Sequence, residues 1–251
     1  MYRSGNPALN DSTFEKSAYK EVSWWEDSES NLMSMNGVVD KTALLLTIVT
    51  LTAIAVYLTV PISLFLSLLG AIVGFVVALI IIFSGSMNPI LICTYAACQG
   101  LFLGGITWII EYQYNAPGLG IVAAVLTFLI LGVMLSIYRA GLISWNKNMQ
   151  IAVTSSMVAI LLIYLVSFIG SFVGFEVPLI HGNGDVGIAF SVFVVGIASL
   201  CLVADFDFIE RGVERGAPKQ LEWRAAFGLL VTLIWLYLEI LKLLAKLAPR
   251  K

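Results

Sequence analysis

Between Gly187 and Asp207 the chain reads GIAFSVFVVGIASLCLVADFD, an apolar run that ends in two carboxylates. A second run at 225–244 reads AAFGLLVTLIWLYLEILKLL and carries Glu239 within it. A helix of about 20 apolar residues spans the hydrocarbon core of a bilayer. A charged side chain inside a bilayer is costly, so it normally faces a partner or a water-filled path. The two runs therefore predict membrane helices, and their three acids are the first candidates for chemistry.

Composition extends this prediction to the whole chain. Of its 251 residues, 59% are hydrophobic and 12% are charged, whereas soluble proteins are about 25% charged. Continuous apolar runs in lipid are helices, because a helix satisfies its own backbone hydrogen bonds. We predict an all-α fold, a polytopic membrane bundle of seven transmembrane helices at 43–245, with a polar cytoplasmic tail at 1–42 and a basic tail at 246–251. The apolar blocks lie at about 43–60, 62–83, 89–110, 119–138, 151–173, 186–205 and 223–245.

The distribution of Lys and Arg predicts a cytoplasmic N-terminus. In that orientation the first, third and fifth connections lie outside and contain no Lys or Arg, as the positive-inside rule expects. The last four bases break the rule if the seventh helix crosses fully, and they stay inside if it dips in and returns. The length of that helix favours a full or nearly full crossing. These bases are Lys242, Lys246, Arg250 and Lys251.

Composition disfavours several classes of function. A net charge of −2 argues against nucleic-acid binding. One His and three Cys are too few for most His/Cys metal sites, and the cysteines lie in apolar runs as small fillers. His181 lies in a polar outer loop and no Gly-rich phosphate loop occurs, so we predict neither an enzyme nor a cofactor.

Small residues four apart allow helices to approach closely in lipid. Three of the predicted helices contain such a pair, and this pattern predicts a compact bundle. The pairs are Gly70 with Gly74, Gly100 with Gly104, and Gly170 with Gly174.

The three acids of the last two helices have two interpretations. In the first, Glu239 pairs with Lys242 as an ordinary helix-face salt bridge, while Asp205 and Asp207 form a cluster at a helix end. In the second, Asp205 and Glu239 meet across the hairpin of the last two helices. Two close carboxylates in low dielectric do not both ionise readily, so such a pair shares a proton and titrates as a unit. Asp207 is the alternative partner of Glu239.

A shared-proton pair predicts a two-state element that pH controls. In the protonated state the pair forms one internal hydrogen bond and locks two helices together. In the deprotonated state the two carboxylates repel each other and attract a cation.

Short motifs in the third, sixth and seventh blocks are similar to those of a known membrane protein family. The stretches 86–91 (SMNPIL) and 95–100 (YAACQG), then 204–209 (ADFDFI) and 237–241 (YLEIL), resemble the Bax inhibitor-1 family in its bacterial branch. The resemblance covers about 40–245. It implies a seven-helix bundle whose last helix lies centrally, and a pH-sensitive calcium leak gated by an acidic pair.

Carried over to this chain, the pH sensor and gate is the pair Asp205 and Glu239, which would also form a weak calcium site. Asp207 and Gln99 would lie along the ion pathway. Two departures bear on calcium selectivity and on the pH midpoint. Glu239 stands where the family has aspartate, and Gln99 stands where it often has glutamate.

We therefore expect a passive, pH-regulated leak for calcium or another cation in the bacterial inner membrane. Its partners would be the lipid bilayer, protons, calcium as the transported ion, and other membrane proteins. The alternatives are a proton-coupled cation exchanger and a non-transporting membrane regulator of stress response or proteolysis. An exchanger moves calcium against its gradient when a proton gradient is applied, and a leak does not.

Overall fold

The computed structural model describes residues 31–59, 64–171, 174 and 184–248. Within these residues the chain forms seven helices and no strand, apart from one isolated bridge between Leu32 and Pro218. The predicted all-α fold is confirmed. His181 and most of the predicted N-terminal tail lie outside the described residues. The helices are α1 (Met35–Thr59), α2 (Leu64–Ser84), α3 (Pro89–Tyr114), α4 (Leu119–Arg139), α5 (Lys147–Ser171), α6 (Asp185–Glu214) and α7 (Leu221–Leu247).

All seven helices are long and apolar enough to cross a membrane. The shortest contain 21 residues, which at about 1.5 Å per residue matches roughly 30 Å of hydrocarbon. Of these helices α7 is the most buried, with 61% of its apolar segment inside the protein, against 17% for α5. The central position of this helix stays a prediction. The chain is a multi-pass membrane protein.

The first helix begins earlier than its apolar block. α1 starts at Met35, whereas the block starts at about residue 43. The hydroxyl of Ser34 accepts a hydrogen bond of 3.0 Å from the backbone N–H of Gly37, which is N-cap geometry. The cap satisfies a donor that a helix start leaves without a partner. The boundary predicted at residue 42 therefore falls inside α1.

The last two helices also extend past their apolar blocks. α6 continues to Glu214 and α7 begins at Leu221. Asp205 and Asp207 therefore lie about two turns inside α6 rather than at its end. Only six residues, 215–220, connect the two helices.

The chain folds as two compact units. Of the described residues, the first unit comprises those up to Ile110 together with Asp205–Val231, and the second comprises those of Glu111–Ala204 together with those from Thr232 onward. α6 and α7 each contribute to both units, so Asp205 belongs to the first unit and Glu239 to the second.

In the first unit, two of the predicted glycine pairs bring helices into contact. A methyl group added at Gly70 of α2 would lie 2.6 Å from the backbone oxygen of Cys98 in α3. Gly100 and Gly104 of α3 lie against α1, where any side chain at Gly104 would overlap the backbone of Ala53. These contacts confirm the close helix approach predicted from the two pairs.

The third predicted pair does not pack in this way. α5 ends at Ser171, so Gly174 lies beyond the helix. A methyl group added at Gly174 would meet no atom of the described residues within 4 Å. The prediction of a helix contact at Gly174 is wrong, because the residue belongs to a turn in which its φ of 76° favours glycine.

In the second unit an apolar core forms between α5 and α6 and includes Trp145. The partly buried residues that pack against this core include Tyr164 of α5 and Trp235 of α7. Both carry a polar atom that needs a hydrogen-bond partner when it is buried. The buried members of the core are Trp145, Val153, Ile160, Val194, Ile197, Cys201, Val203 and Ala204.

Candidate functional site

Glu239 lies in the second unit at the centre of a polar cluster on α7. Its side chain is only 2% exposed. The hydroxyl of Tyr164 lies 2.9 Å from both carboxylate oxygens, and the indole Nε1 of Trp235 donates to Oε1 at 3.1 Å. The ammonium of Lys242 donates to the same oxygen at 2.7 Å. Every described partner of this carboxylate is therefore a hydrogen-bond donor.

Lys242 contacts two members of this cluster at once. Besides its ion pair with Glu239, its Nζ lies 3.1 Å from the hydroxyl of Tyr164 and 4.6 Å from the centre of the same ring. The Lys242 side chain is 36% exposed. The helix-face salt bridge between Glu239 and Lys242 is thus present, and the hydroxyl of Tyr164, from a different helix, bonds both of its members.

Lys246 lies one turn further along α7 and has different partners. Its ammonium donates to the backbone oxygen of Gly187 at 2.9 Å and to the hydroxyl of Ser191 at 2.8 Å. Both partners belong to the first turns of α6. Lys242 and Lys246 are therefore held by groups inside the second unit.

Asp205, in the first unit, is completely buried on α6, between the buried residues Ala204 and Phe206. A carboxylate in such surroundings requires hydrogen bonds or a proton, because burial without compensation is strongly unfavourable. Asp205 and Glu239 belong to different units, and the sharing of a proton between them stays a prediction.

The two residues predicted along the ion pathway have local partners in the first unit. Asp207 forms an ion pair with Arg211, four residues on, and its side chain is 17% exposed. Gln99 of α3 faces α2, since a methyl group added at Gly74 would lie 3.2 Å from its Nε2. Their role in ion passage stays a prediction.

No group of three or more His, Cys, Asp or Glu side chains suited to a metal ion occurs among the described residues. Calcium normally takes six to eight oxygen ligands.

Comparison with known proteins identifies the family. A family model described as Bax inhibitor 1 like matches residues 6–249. The chain belongs to the Bax inhibitor 1 like family. The resemblance stated from the motifs of the third, sixth and last helices is confirmed. A comparison with curated proteins found no match.

A further buried carboxylate of this Bax inhibitor 1 like protein was not singled out from sequence. Glu222, in the first turn of α7, is completely buried. It forms an ion pair with Lys41 of α1 and accepts hydrogen bonds from the backbone N–H and the hydroxyl of Ser34, at 2.9 and 3.1 Å. The backbone N–H of Met33 also donates to the oxygen of Ala217 at 2.6 Å. We call residues 31–41 and 217–222 the N-terminal clasp.

Proposed function

We propose that this Bax inhibitor 1 like protein is a passive, pH-regulated cation leak, with calcium as its favoured ion. It would act in the bacterial inner membrane with its N-terminus in the cytoplasm, and not as an enzyme. The observation that carries the proposal is the burial of two carboxylates, Asp205 and Glu239, in apolar helices. Ionisable groups in such positions mark ion or proton pathways in membrane proteins.

The proposed gate is the pair Asp205 and Glu239. In acid the pair holds a shared proton and keeps the path closed, and at higher pH both groups ionise and admit a cation. The groups that face Glu239 are Tyr164, Trp235 and Lys242, with Lys246 one turn away. Asp207 and Gln99 would add oxygen ligands along the path. So few oxygens suit transient passage better than storage of calcium.

Calcium flux into liposomes, measured over roughly pH 5 to 8, tests the proposal. For the parent protein we expect flux that falls as the pH falls. Asp205→Asn and Glu239→Gln should show the same altered pH profile, because each removes one member of the pair. Asp40→Asn, which changes an exposed carboxylate of α1, is the control and should keep the parent profile.

Three outcomes would contradict this function. Absence of calcium flux at every pH would exclude a leak and favour a non-transporting regulator. An unchanged pH profile in both variants would remove the acidic pair as the gate. Calcium movement against its gradient under an applied proton gradient would identify an exchanger instead.

A further inference from the structure

The ammonium group of Lys242 occupies a cation-binding position. A carboxylate oxygen of Glu239 lies 2.7 Å from it, a phenol oxygen of Tyr164 lies 3.1 Å from it, and the ring of Tyr164 lies 4.6 Å from it. An anionic oxygen, a neutral oxygen and an aromatic face are the groups that attract a cation in proteins. The chain itself therefore supplies the cation at this position.

The two partners differ in their access to the exterior. The Glu239 side chain is 2% exposed and accepts hydrogen bonds from Tyr164 and Trp235 as well as Lys242. The Lys242 side chain is 36% exposed and carries its ammonium group on a flexible four-carbon stem. The lysine is therefore the member of the pair that is able to leave, while the carboxylate stays in place.

We propose that Lys242 is a tethered cation that occupies the Glu239 position and must move away before a free cation binds there. A free cation beside the ammonium would be repelled by a like charge a few ångströms away, so the two occupy the position in turn. Lys242 then determines which cations bind at Glu239 and at what concentration. The consequence for flux rests on the proposed function, whereas the occupancy of Glu239 does not.

Thermal unfolding of the purified protein in calcium chloride tests the occupancy without any transport. Lys242→Gln removes the charge and keeps a polar side chain. We expect calcium to stabilise this variant at concentrations about tenfold or more lower than it stabilises the parent, because one opposing charge is gone. N-methylglucamine chloride at equal ionic strength separates specific binding from screening.

Two further variants serve as controls for this measurement. Lys246→Gln removes a charge from the same helix, but from an ammonium held by Gly187 and Ser191 rather than by Glu239, and should give a much smaller gain than Lys242→Gln. The double variant Glu239→Gln with Lys242→Gln should lose the added calcium response. An equal gain in Lys246→Gln, or a gain that persists in the double variant, would overturn the proposal.

Lys242→Arg keeps the positive charge and provides a test if Lys242→Gln does not fold. An arginine pairs with a carboxylate through two parallel hydrogen bonds and leaves it less readily. We expect calcium flux at a fixed pH to drop several-fold in this variant, and calcium stabilisation to need a higher concentration than in the parent. Parent values in both measurements would overturn the proposal. If the parent shows no flux, the leak function fails, and the unfolding measurements still decide the role of Lys242.

Discussion

The hydroxyl of Tyr164 connects the two charged residues of the cluster on α7. It lies within 2.9 Å of both oxygens of Glu239 and within 3.1 Å of the ammonium of Lys242. One phenol thus bridges the two charged groups of the pair from another helix. Such a shared partner fixes the geometry of a buried ion pair, because it satisfies hydrogen-bonding capacity that the pair leaves open.

Tyr164→Phe tests this bridge. The change removes only the hydroxyl and retains the ring beside Lys242, so we expect a loss of about 1–3 kcal/mol in the free energy of unfolding. Denaturant unfolding of the purified protein measures it. Tyr114→Phe, at a partly exposed side chain near the end of α3, is the control and should change stability by less than about 0.5 kcal/mol. Equal effects of the two changes would contradict the bridge.

The sequence predicts some of the partners of Glu239 but not all of them. Trp235 and Lys242 lie four residues before and three residues after Glu239, so helical spacing alone places them on its face. Tyr164 lies 75 residues away in the chain, and no local spacing indicates it. Sequence reasoning therefore found the carboxylate and one of its partners but missed the phenol that joins them.

At the scale of elements, the N-terminal clasp depends on a close approach of α1 to the start of α7. Gly37 lies so near the carboxylate of Glu222 that an added methyl group would overlap it. Glu222 in turn bonds Ser34 and Lys41. A glycine at this position thus allows the ion pair between Glu222 and Lys41 to form in contact with the first turn of α1.

Gly37→Ala is expected to destabilise the protein by about 1–3 kcal/mol, since either the backbone shifts or Glu222 loses its partners. Gly132→Ala is the matched control, because a methyl group in that part of α4 meets no atom within 4 Å. Its expected effect is a gain of about 0.5–1 kcal/mol, from the higher helix propensity of alanine. Thermal unfolding measures both changes. If Gly37→Ala is as stable as Gly132→Ala, the clasp contact is wrong.

The helix boundaries explain why the clasp was not predicted. Hydropathy locates the part of a helix that lies in lipid, whereas α1 and α7 begin in polar sequence, at Met35 and Leu221. Their starts depend on Ser34 and Glu222. The bonds from Ser34 and from Lys41 to Glu222 join residues that are 188 and 181 positions apart in the chain. Long-range pairing of polar residues leaves no periodic pattern in the sequence.

For the whole molecule, the partners of two lysines bear on membrane orientation. The positive-inside rule counts bases in short loops, but Lys242 and Lys246 are bonded to groups within the second unit. They should therefore be left out of that count, which reduces the conflict that the end of the chain presents. Arg250 and Lys251 lie outside the described residues. We propose that α7, with its 27 residues, crosses the membrane fully and that the N-terminus is cytoplasmic.

Labelling of single cysteines tests this orientation, after replacement of the three natural cysteines. Ala116→Cys lies between α3 and α4, and Leu142→Cys lies between α4 and α5. With a cytoplasmic N-terminus, a membrane-impermeant maleimide should label position 116 in intact spheroplasts and position 142 only after permeabilisation. The reverse pattern would overturn the orientation.

The number of helices was predictable for a physical reason. Each helix needs about 20 apolar residues to span the bilayer, and each such run is visible in the sequence without any long-range information. Family membership followed from motifs in α3, α6 and α7. The shared proton of Asp205 and Glu239 depends instead on a distance between groups far apart in the chain, which hydropathy does not encode.

The N-terminal clasp has a mechanical consequence. The antiparallel bonds from Met33 to Ala217 and from Lys219 to Asn31 precede the first turn of α1. A force that pulls the N-terminal end of the chain away from the membrane would stretch these two hydrogen bonds before it reached any helix. The tension would pass directly into the short segment that joins the helix of Asp205 to the helix of Glu239.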